Sequence, residues 1–430
     1  MSPIKASPPA RVAAPTRQIL AARTAVAFVF GLNGLAVATW FARVPAAREG
    51  LELSAGQLGL LLLAMSCGAI LAMVTAGAVV HRAGSPRTAA GSTALITVGL
   101  LLVGVGIGVW SSVPLVAVGL AAIGYGSGLT DVAMNVEAAL VERRLGRTIM
   151  PRFHAAWSLG TVSGAVLGAG SAQIGVPVLA HLTIVALVVL LGTLLSVRSF
   201  LTSRTGPVGQ PGRAEETPAT AGPARGSGVL RAWREPRTLL VGLLVLVVAF
   251  TEGTANDWVA VAFIDGHDIS EAAGAAVFGI FVAAMTVGRT TGTVALDRWG
   301  RVPVLFATLG LAIVGVTIAV LAPSQPVALA GVALWGLGAS LGFPVGMSAA
   351  ADDEDRAPAR VSVVATIGYT AFLAGPPAVG FLGDHVGTLR SLLIVPILLV
   401  PALALVPVTR PPAGTRQTDP AALAGDPAPL

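Results

Sequence analysis

The sequence is short of charge. Only 11% of its 430 residues are Asp, Glu, Lys or Arg, whereas a soluble domain carries about 25%. Hydrophobic residues make up 54% of the chain, and the mean hydropathy is +0.82. This composition excludes an ordinary soluble protein and indicates an integral membrane protein.

The chain also lacks the residues of several common sites. Its single cysteine, Cys67, lies within a hydrophobic run, which excludes an intrachain disulfide and a cysteine metal cluster. It contains no Walker loop, HExxH motif or Cys/His cluster, and no nucleophile–base set is evident. We therefore expect neither a cofactor nor a metal, and we do not expect an enzyme.

Long apolar runs dominate what is there. A hydrocarbon core of about 30 Å needs roughly 20 apolar residues per helix. Such windows fall at 24–44, 56–80, 88–110, 113–138, 151–172 and 174–197, and then at 238–262, 272–296, 302–322, 325–350, 360–383 and 388–408. The sequence thus predicts an all-α membrane protein with twelve transmembrane helices in two groups of six, numbered here as spans 1 to 12.

A segment rich in Pro, Gly, Ser and Thr separates the two groups and has no apolar period, which indicates a disordered linker. The predicted organisation is a tail at 1–17, a six-helix bundle at 18–198, a cytoplasmic linker at 199–237, a second bundle at 238–409 and a tail at 410–430.

The basic residues predict the orientation. If both termini are cytoplasmic, 23 Lys and Arg lie in cytoplasmic segments and only Arg43, Arg48 and Arg390 lie outside. This asymmetry is the usual signature of cytoplasmic loops. It also accounts for the net charge of +6 without a nucleic-acid partner.

The two halves repeat each other. "TAGAVVHRAGSPR" (75–87) and "TGTVALDRWGRVP" (291–303) both end a span in a tight basic turn. "GYGSGLTD" (124–131) likewise aligns with "GLGASLGF" (336–343). Parallel six-helix repeats that flank a long linker resemble the major facilitator superfamily.

"DRWGR" (297–301) is similar to that superfamily's loop signature, in which an Asp and Arg residues tie helix ends together in one gating state. In the first half, His81 stands where the Asp would be. The fifth span lacks the proline of the antiporter motif. The resulting gating candidates are Arg82, Arg289, Asp297, Arg298 and Arg301.

A narrower resemblance rests on residues 131–160, 252–263 and 335–350, which look like the YbjJ-type transporters of bacterial inner membranes, relatives of the fucose permeases. The resemblance implies solute transport across the bacterial inner membrane. It implies no particular substrate.

Asp131 lies in one of the most apolar stretches. A charge at the centre of a membrane helix costs roughly 2.5–3.5 kcal/mol or more, so it faces a cavity or a partner. Gly124, Gly128 and Asn135 share its helical face. We therefore expect Asp131 and Asn135 to face the same space.

Counting back from the loop between spans 4 and 5 places His154 and Trp157 level with Asp131, within one turn. Two interpretations remain open. Asp131 and His154 handle a proton or the substrate, or Asp131 pairs with His154, Arg143 or Arg152 in packing or gating.

Span 7 contributes two more acids. Glu252 lies within the span and is the second candidate proton carrier. Asp257 lies nearer the outer end and is a further candidate, although a solvated helix cap is the competing interpretation.

In the superfamily that the repeat resembles, spans 1 and 7 line the central cavity. The cavity candidates are polar or aromatic: Asn33, Trp40, Asn135, Trp157, Asn256, Trp258, Trp335 and Tyr369. Such a wall suits a polar organic solute, including a sugar. For Trp40 and Trp258 the alternative is an interfacial aromatic belt.

The sequence therefore predicts a monomeric secondary transporter that binds a small solute and protons within the lipid bilayer and works by alternating access. The alternatives are a non-transporting membrane sensor or scaffold with the same fold, and an exporter of apolar compounds.

Overall fold

A computed structural model describes residues 17–145, 149–201, 230–353 and 356–411. This part of the chain is helical and contains no strand. The spans of the first half are Arg17–Phe41 (continued by Val44–Gly50), Ala55–Ala83, Ser85–Gly108, Val113–Leu145, Met150–Gln173 and Val178–Ser196. Those of the second half are Pro236–His267, Glu271–Trp299, Arg301–Leu321, Gln325–Ala339 with Gly342–Ala350, Ala357–Val386, and Thr388–Ser391 with Ile394–Ala402. Turns of 3₁₀ helix follow spans 6 and 12, at Val197–Ser199 and Leu403–Thr409.

The helices confirm the predicted fold class. Within the described ranges, 11 are long and apolar enough to cross a membrane. The twelfth helix is span 5, whose 24 residues extend about 36 Å. It packs against span 1 of the first half and against span 8 of the second half, and so connects the two halves.

Local sequence explains where the helices begin and turn. Ser54 forms a capping box with Gln57 at the start of span 2, and Ser270 caps span 8. The two repeated basic turns depend on Gly84 and Gly300, which both have φ of +77°. Glycine is the residue that adopts this backbone conformation without strain, so the two halves share the same turn.

Each half packs through its own helices, and two pairs of spans make the main contacts between the halves. Spans 2 and 11 form one of these contacts, and spans 5 and 8 form the other. We call the end at which span 1 begins and span 12 finishes the termini end, and the opposite end the far end. The central part of the predicted linker, 202–229, lies outside the described ranges. So do the predicted tails, except residue 17 at the end of the first and residues 410–411 at the start of the second.

Glycine allows spans 1 and 5 to touch. A Cβ on Gly160 would collide with the backbone of Gly31, and one on Gly34 would collide with the carbonyl of Trp157. Small residues permit close helix approach in membranes, where packing and not the hydrophobic effect drives association.

Gly160→Ala should therefore lower the melting temperature of the purified protein, because the new methyl group separates spans 1 and 5. Overpacking of this kind costs about 1–3 kcal/mol. Gly170→Ala in the same helix is the control, since a Cβ there meets no atom within 4 Å. Equal melting temperatures for the two variants would contradict the packing account.

Candidate solute-binding cavity and its gates

A cavity of about 330 Å³ lies between the two halves. Spans 1, 2, 4 and 5 form one side of it, and spans 7 and 11 form the other. Its polar lining consists of Asn33, Ser66, Ser127, Asp131, Asn256, Asp257 and Tyr369. Apolar and aromatic side chains make up the rest of the lining, among them Phe41, Met65, Met73, Trp157 and Phe372.

Asp131 faces this cavity and is held from its own helix. The Asn135 amide donates a hydrogen bond to the Asp131 carboxylate at 3.2 Å and a second to the Asp131 backbone carbonyl at 2.9 Å. Asn135 itself does not line the cavity. The two residues share a face, but only the carboxylate reaches the central space.

His154 is not the partner of Asp131 in this conformation. Its ring packs edge-on against Phe30, with ring centroids 5.3 Å apart. Among the described residues, no hydrogen bond or ion pair joins Asp131 to His154, Arg143 or Arg152. The helix one turn further along brings Trp157 into the cavity instead.

Asp257 has the most exceptional position of the four predicted proton carriers. Its carboxylate lines the cavity beside Asn256. Within the described ranges it has neither a hydrogen-bond partner nor an ion-pair partner. The helix-cap interpretation does not fit, because the residue lies ten positions before the end of span 7 at His267.

Glu252, by contrast, is already paired. The Arg289 guanidinium donates to both of its carboxylate oxygens, at 2.9 and 3.0 Å. This pair joins spans 7 and 8 within the second half. Glu252 lines a small adjoining pocket, which also contacts Asn256 and Trp157.

Besides Asn135, three predicted cavity residues lie elsewhere. Trp40, Trp258 and Trp335 are fully buried in helix packing and do not line the central cavity. Phe281 packs edge-on against Trp335, with centroids 5.3 Å apart. Gly380 leaves room for the ring of Trp258. The indole rings pack in the interior because the residues around them are small or aromatic.

The far end contains a buried arginine, which the sequence places at the outer end of span 1. Arg43 is only 1% exposed. It donates hydrogen bonds to Glu271 at 2.7 Å, to the Val176 carbonyl at 3.0 Å and to His181 Nδ1 at 3.1 Å. Because Glu271 begins span 8, this pair joins the first half to the second.

Two further contacts cross the halves at the same end. Arg48 forms an ion pair with Asp265. Asp384, near the end of span 11, accepts hydrogen bonds from the Gly56 amide at 2.9 Å and the Ser54 hydroxyl at 3.1 Å. We call the Arg43–Glu271, Arg48–Asp265 and Asp384–Gly56 contacts the far-end clamp.

The ion pairs of the termini end stay within the second half. Asp352 pairs with Arg237 and Arg301. Glu235 pairs with Arg356 and Arg360, and the hydrogen bond from Arg360 lowers the pKa of the Glu235 carboxyl. These contacts hold the starts of spans 7, 9 and 11 together.

The remaining gating candidates form no ion pair with any described residue. Arg82, Asp297 and Arg298 are exposed at the termini end, and Arg298 lies 5.6 Å from the centre of the Trp299 ring. In the described part of the chain, no ion pair joins the halves at this end. Ion pairs therefore close the far end, whereas none of those among the described residues joins the halves at the termini end.

Twelve helices in two similar halves around a central cavity define the class of multi-pass membrane transporters. Comparison with known families gives the particular family. The model of the Major Facilitator Superfamily matches residues 25–293 and 253–429, and the chain belongs to this superfamily. Its relatives are transporters and not enzymes.

The uncharacterized transporter y4wD of Sinorhizobium fredii is 31% identical over 397 residues, which are 92% of this chain and 100% of y4wD. A bacterial homolog of the human lysosomal transporter Spinster, inward-facing and unoccupied, has a TM-score of 0.70 at 15% identity and covers 94% of this chain and 100% of its own. A variant of the Escherichia coli fucose:proton symporter FucP has a TM-score of 0.62 at 16% identity, over 92% of this chain and 100% of its own. These two structures support the fold alone.

Glu271→Gln should open the far end, because it removes the charge that Arg43 binds across the halves. Spin labels on Glu49→Cys and Asp268→Cys, in a Cys67→Ser background, would report the separation of the halves there. We expect the distance distribution to shift to longer values. Loss of one partner of a buried ion pair costs about 3–5 kcal/mol, reduced here because Glu271 is partly exposed.

Glu235→Gln is the matched control, since it removes a carboxylate whose partners all lie in one half. It should leave the far-end distances unchanged. An unchanged distribution in Glu271→Gln would show that the pair does not hold the gate.

Proposed function

We propose that this transporter moves a small organic solute across the bacterial inner membrane by alternating access, coupled to protons, with both termini cytoplasmic. The observation that carries the proposal is a solute-sized cavity between the halves that contains two carboxylates and lies behind the far-end clamp. The cavity is formed by a single chain, so a monomer is the working unit.

The distribution of ion pairs supports alternating access. Among the described residues, ion pairs join the halves at the far end and none joins them at the termini end, which corresponds to one of the two states that such a mechanism needs. In the other state the clamp opens. The exposed Arg82, Asp297 and Arg298 are then placed to tie the helix ends together on the cytoplasmic side, as their loop signature implies.

The carboxylates of the cavity support proton coupling. An ionised acid in a membrane interior is costly, and protonation removes that cost. Asp131 and Asp257 both face the cavity, so a proton can reach them from the same space as the solute. Glu252 is the weaker candidate proton carrier, because its protonation would disrupt the hydrogen bonds that both carboxylate oxygens accept from Arg289. His154 lies against Phe30 and outside the cavity lining.

The size of the cavity limits the solute. Ligand pockets of about 300–1,000 Å³ hold drug-sized molecules, and the volume of about 330 Å³ is at the low end of that range. Asn33, Ser127 and Asn256 offer hydrogen bonds. The remaining wall is apolar and aromatic, which fits a solute with both kinds of surface.

Proteoliposomes with a trapped pH-sensitive dye test the proposal. A panel of solutes should include fucose, the sugar named for one structural relative, together with amines and nucleosides. At least one solute should drive proton movement across the membrane. Asp131→Asn and Asp257→Asn should each reduce this coupled flux by about tenfold or more, in line with typical effects of proton-transfer groups.

Asp268→Asn is the control, because this exposed carboxylate follows span 7 and lies outside the cavity. It should retain the flux. The mechanism as proposed fails if no solute moves protons, or if both cavity variants keep wild-type coupling.

A further inference from the structure

We propose that the cavity selects organic cations, that is, small solutes in which a protonated amine is attached to a largely apolar body, with Asp257 as the counter-ion of the amine. The inference rests on the proposed function only in taking this cavity as the solute site. It adds the charge of the solute, which the proposed function leaves open.

The first argument is the charge of the lining. The cavity wall contains two carboxylates, Asp131 and Asp257, and none of its residues is Lys, Arg or His. An anionic solute would meet repulsion from both acids. While the carboxylates are ionised, a neutral solute would leave both without a counter-ion in a space of low dielectric, where unmatched charge is expensive.

The second argument is that the two acids are not equivalent. Asp131 receives a hydrogen bond from Asn135. Asp257 has no hydrogen-bond or ion-pair partner among the described residues, although it lies inside the bundle. Arg289, on the neighbouring span 8, is already engaged by Glu252. Asp257 is therefore the acid whose partner must come from the solute or from a proton.

The third argument is the character of the surrounding wall. Trp157, Phe41 and Phe372 line the same cavity. Aromatic faces attract ammonium groups, and the attraction is stronger in desolvated sites than in exposed ones. They also accommodate an apolar body. A carboxylate combined with several aromatic rings is the arrangement that recognises an amine in preference to an alcohol of the same shape.

The far end adds an independent argument from long-range electrostatics. Its loops and helix ends carry six carboxylates: Glu49, Glu52, Asp265, Asp268, Glu271 and Asp384. The arginines there are Arg43, Arg48 and Arg390, of which the first is buried in the clamp. This mouth is net negative, and a negative mouth raises the local concentration of cations. The basic termini end has no such bias.

Ligand-dependent melting of the purified full chain tests the inference, because a solute that binds the folded state raises the melting temperature. Three matched series keep the body constant and vary the charge: tyramine, tyrosol and 4-hydroxyphenylacetate; hexylamine, hexanol and hexanoate; and glucosamine, glucose and gluconate. In at least one series the amine should bind about tenfold more tightly than its neutral and anionic counterparts, which corresponds to 1.4 kcal/mol.

Asp257→Asn should abolish the preference for the amine, and Asp257→Glu should retain it because the charge remains. Asp268→Asn removes one mouth carboxylate and leaves the cavity lining intact, so it should keep the preference for the amine even if its apparent affinity for cations falls slightly. The glutamate variant keeps the test valid if the asparagine variant folds poorly. The inference is overturned if no amine binds more tightly than its counterparts, if Asp257→Asn keeps the preference, or if Asp257→Glu folds and loses it.

This experiment separates the inference from the proposed function. Selective amine binding without solute-driven proton flux would support the cation site and contradict proton-coupled transport. Proton flux driven only by neutral or anionic solutes would support proton-coupled transport and contradict the cation site.

Discussion

A charged side chain at the centre of a membrane helix costs roughly 2.5–3.5 kcal/mol or more unless protein or water satisfies it. The interior charges of this protein meet that constraint in three ways. Arg43 is surrounded by acceptors from span 6, from the turn before it and from span 8. Glu252 is paired with Arg289. Asp257 has no protein partner within the described ranges and faces the cavity. The paired charges hold the helices together. Asp257, which has no partner among the described residues, marks the candidate solute site.

The same constraint explains the asymmetry between the ends. At the far end, ion pairs cross between the halves and exclude water from a buried guanidinium. At the termini end, Asp352 and Glu235 bind arginines of their own half. The first kind of contact must break for the halves to move apart, and the second kind need not. The second half can therefore move as a unit while the clamp opens and closes.

Much of this could be predicted from the sequence, for physical reasons. The spans follow from the length of the apolar runs, and the shared face of Asp131 and Asn135 follows from helical periodicity. The placement of Asn33 and Asn256 in the cavity came from the superfamily resemblance. The site roles assigned to these residues remain predictions.

Other features depend on contacts that no local pattern encodes. Arg43 meets His181 and Glu271, which are 138 and 228 positions away. The register between spans 4 and 5 was uncertain by one turn, enough to exchange Trp157 for His154 beside the cavity. Trp40 follows Asn33 by seven residues and so shares its helical face, but this spacing could not show that neighbouring helices cover the indole.

The central claim is that closing one end of the cavity accompanies opening the other. Spin labels at Arg87→Cys and Pro303→Cys, exposed positions at the termini end of the two halves, test it most directly when measured in the Glu271→Gln protein with Cys67→Ser. The account predicts that their separation shortens as the far end opens. Termini-end distances that stay the same, or that lengthen together with those at the far end, would contradict it.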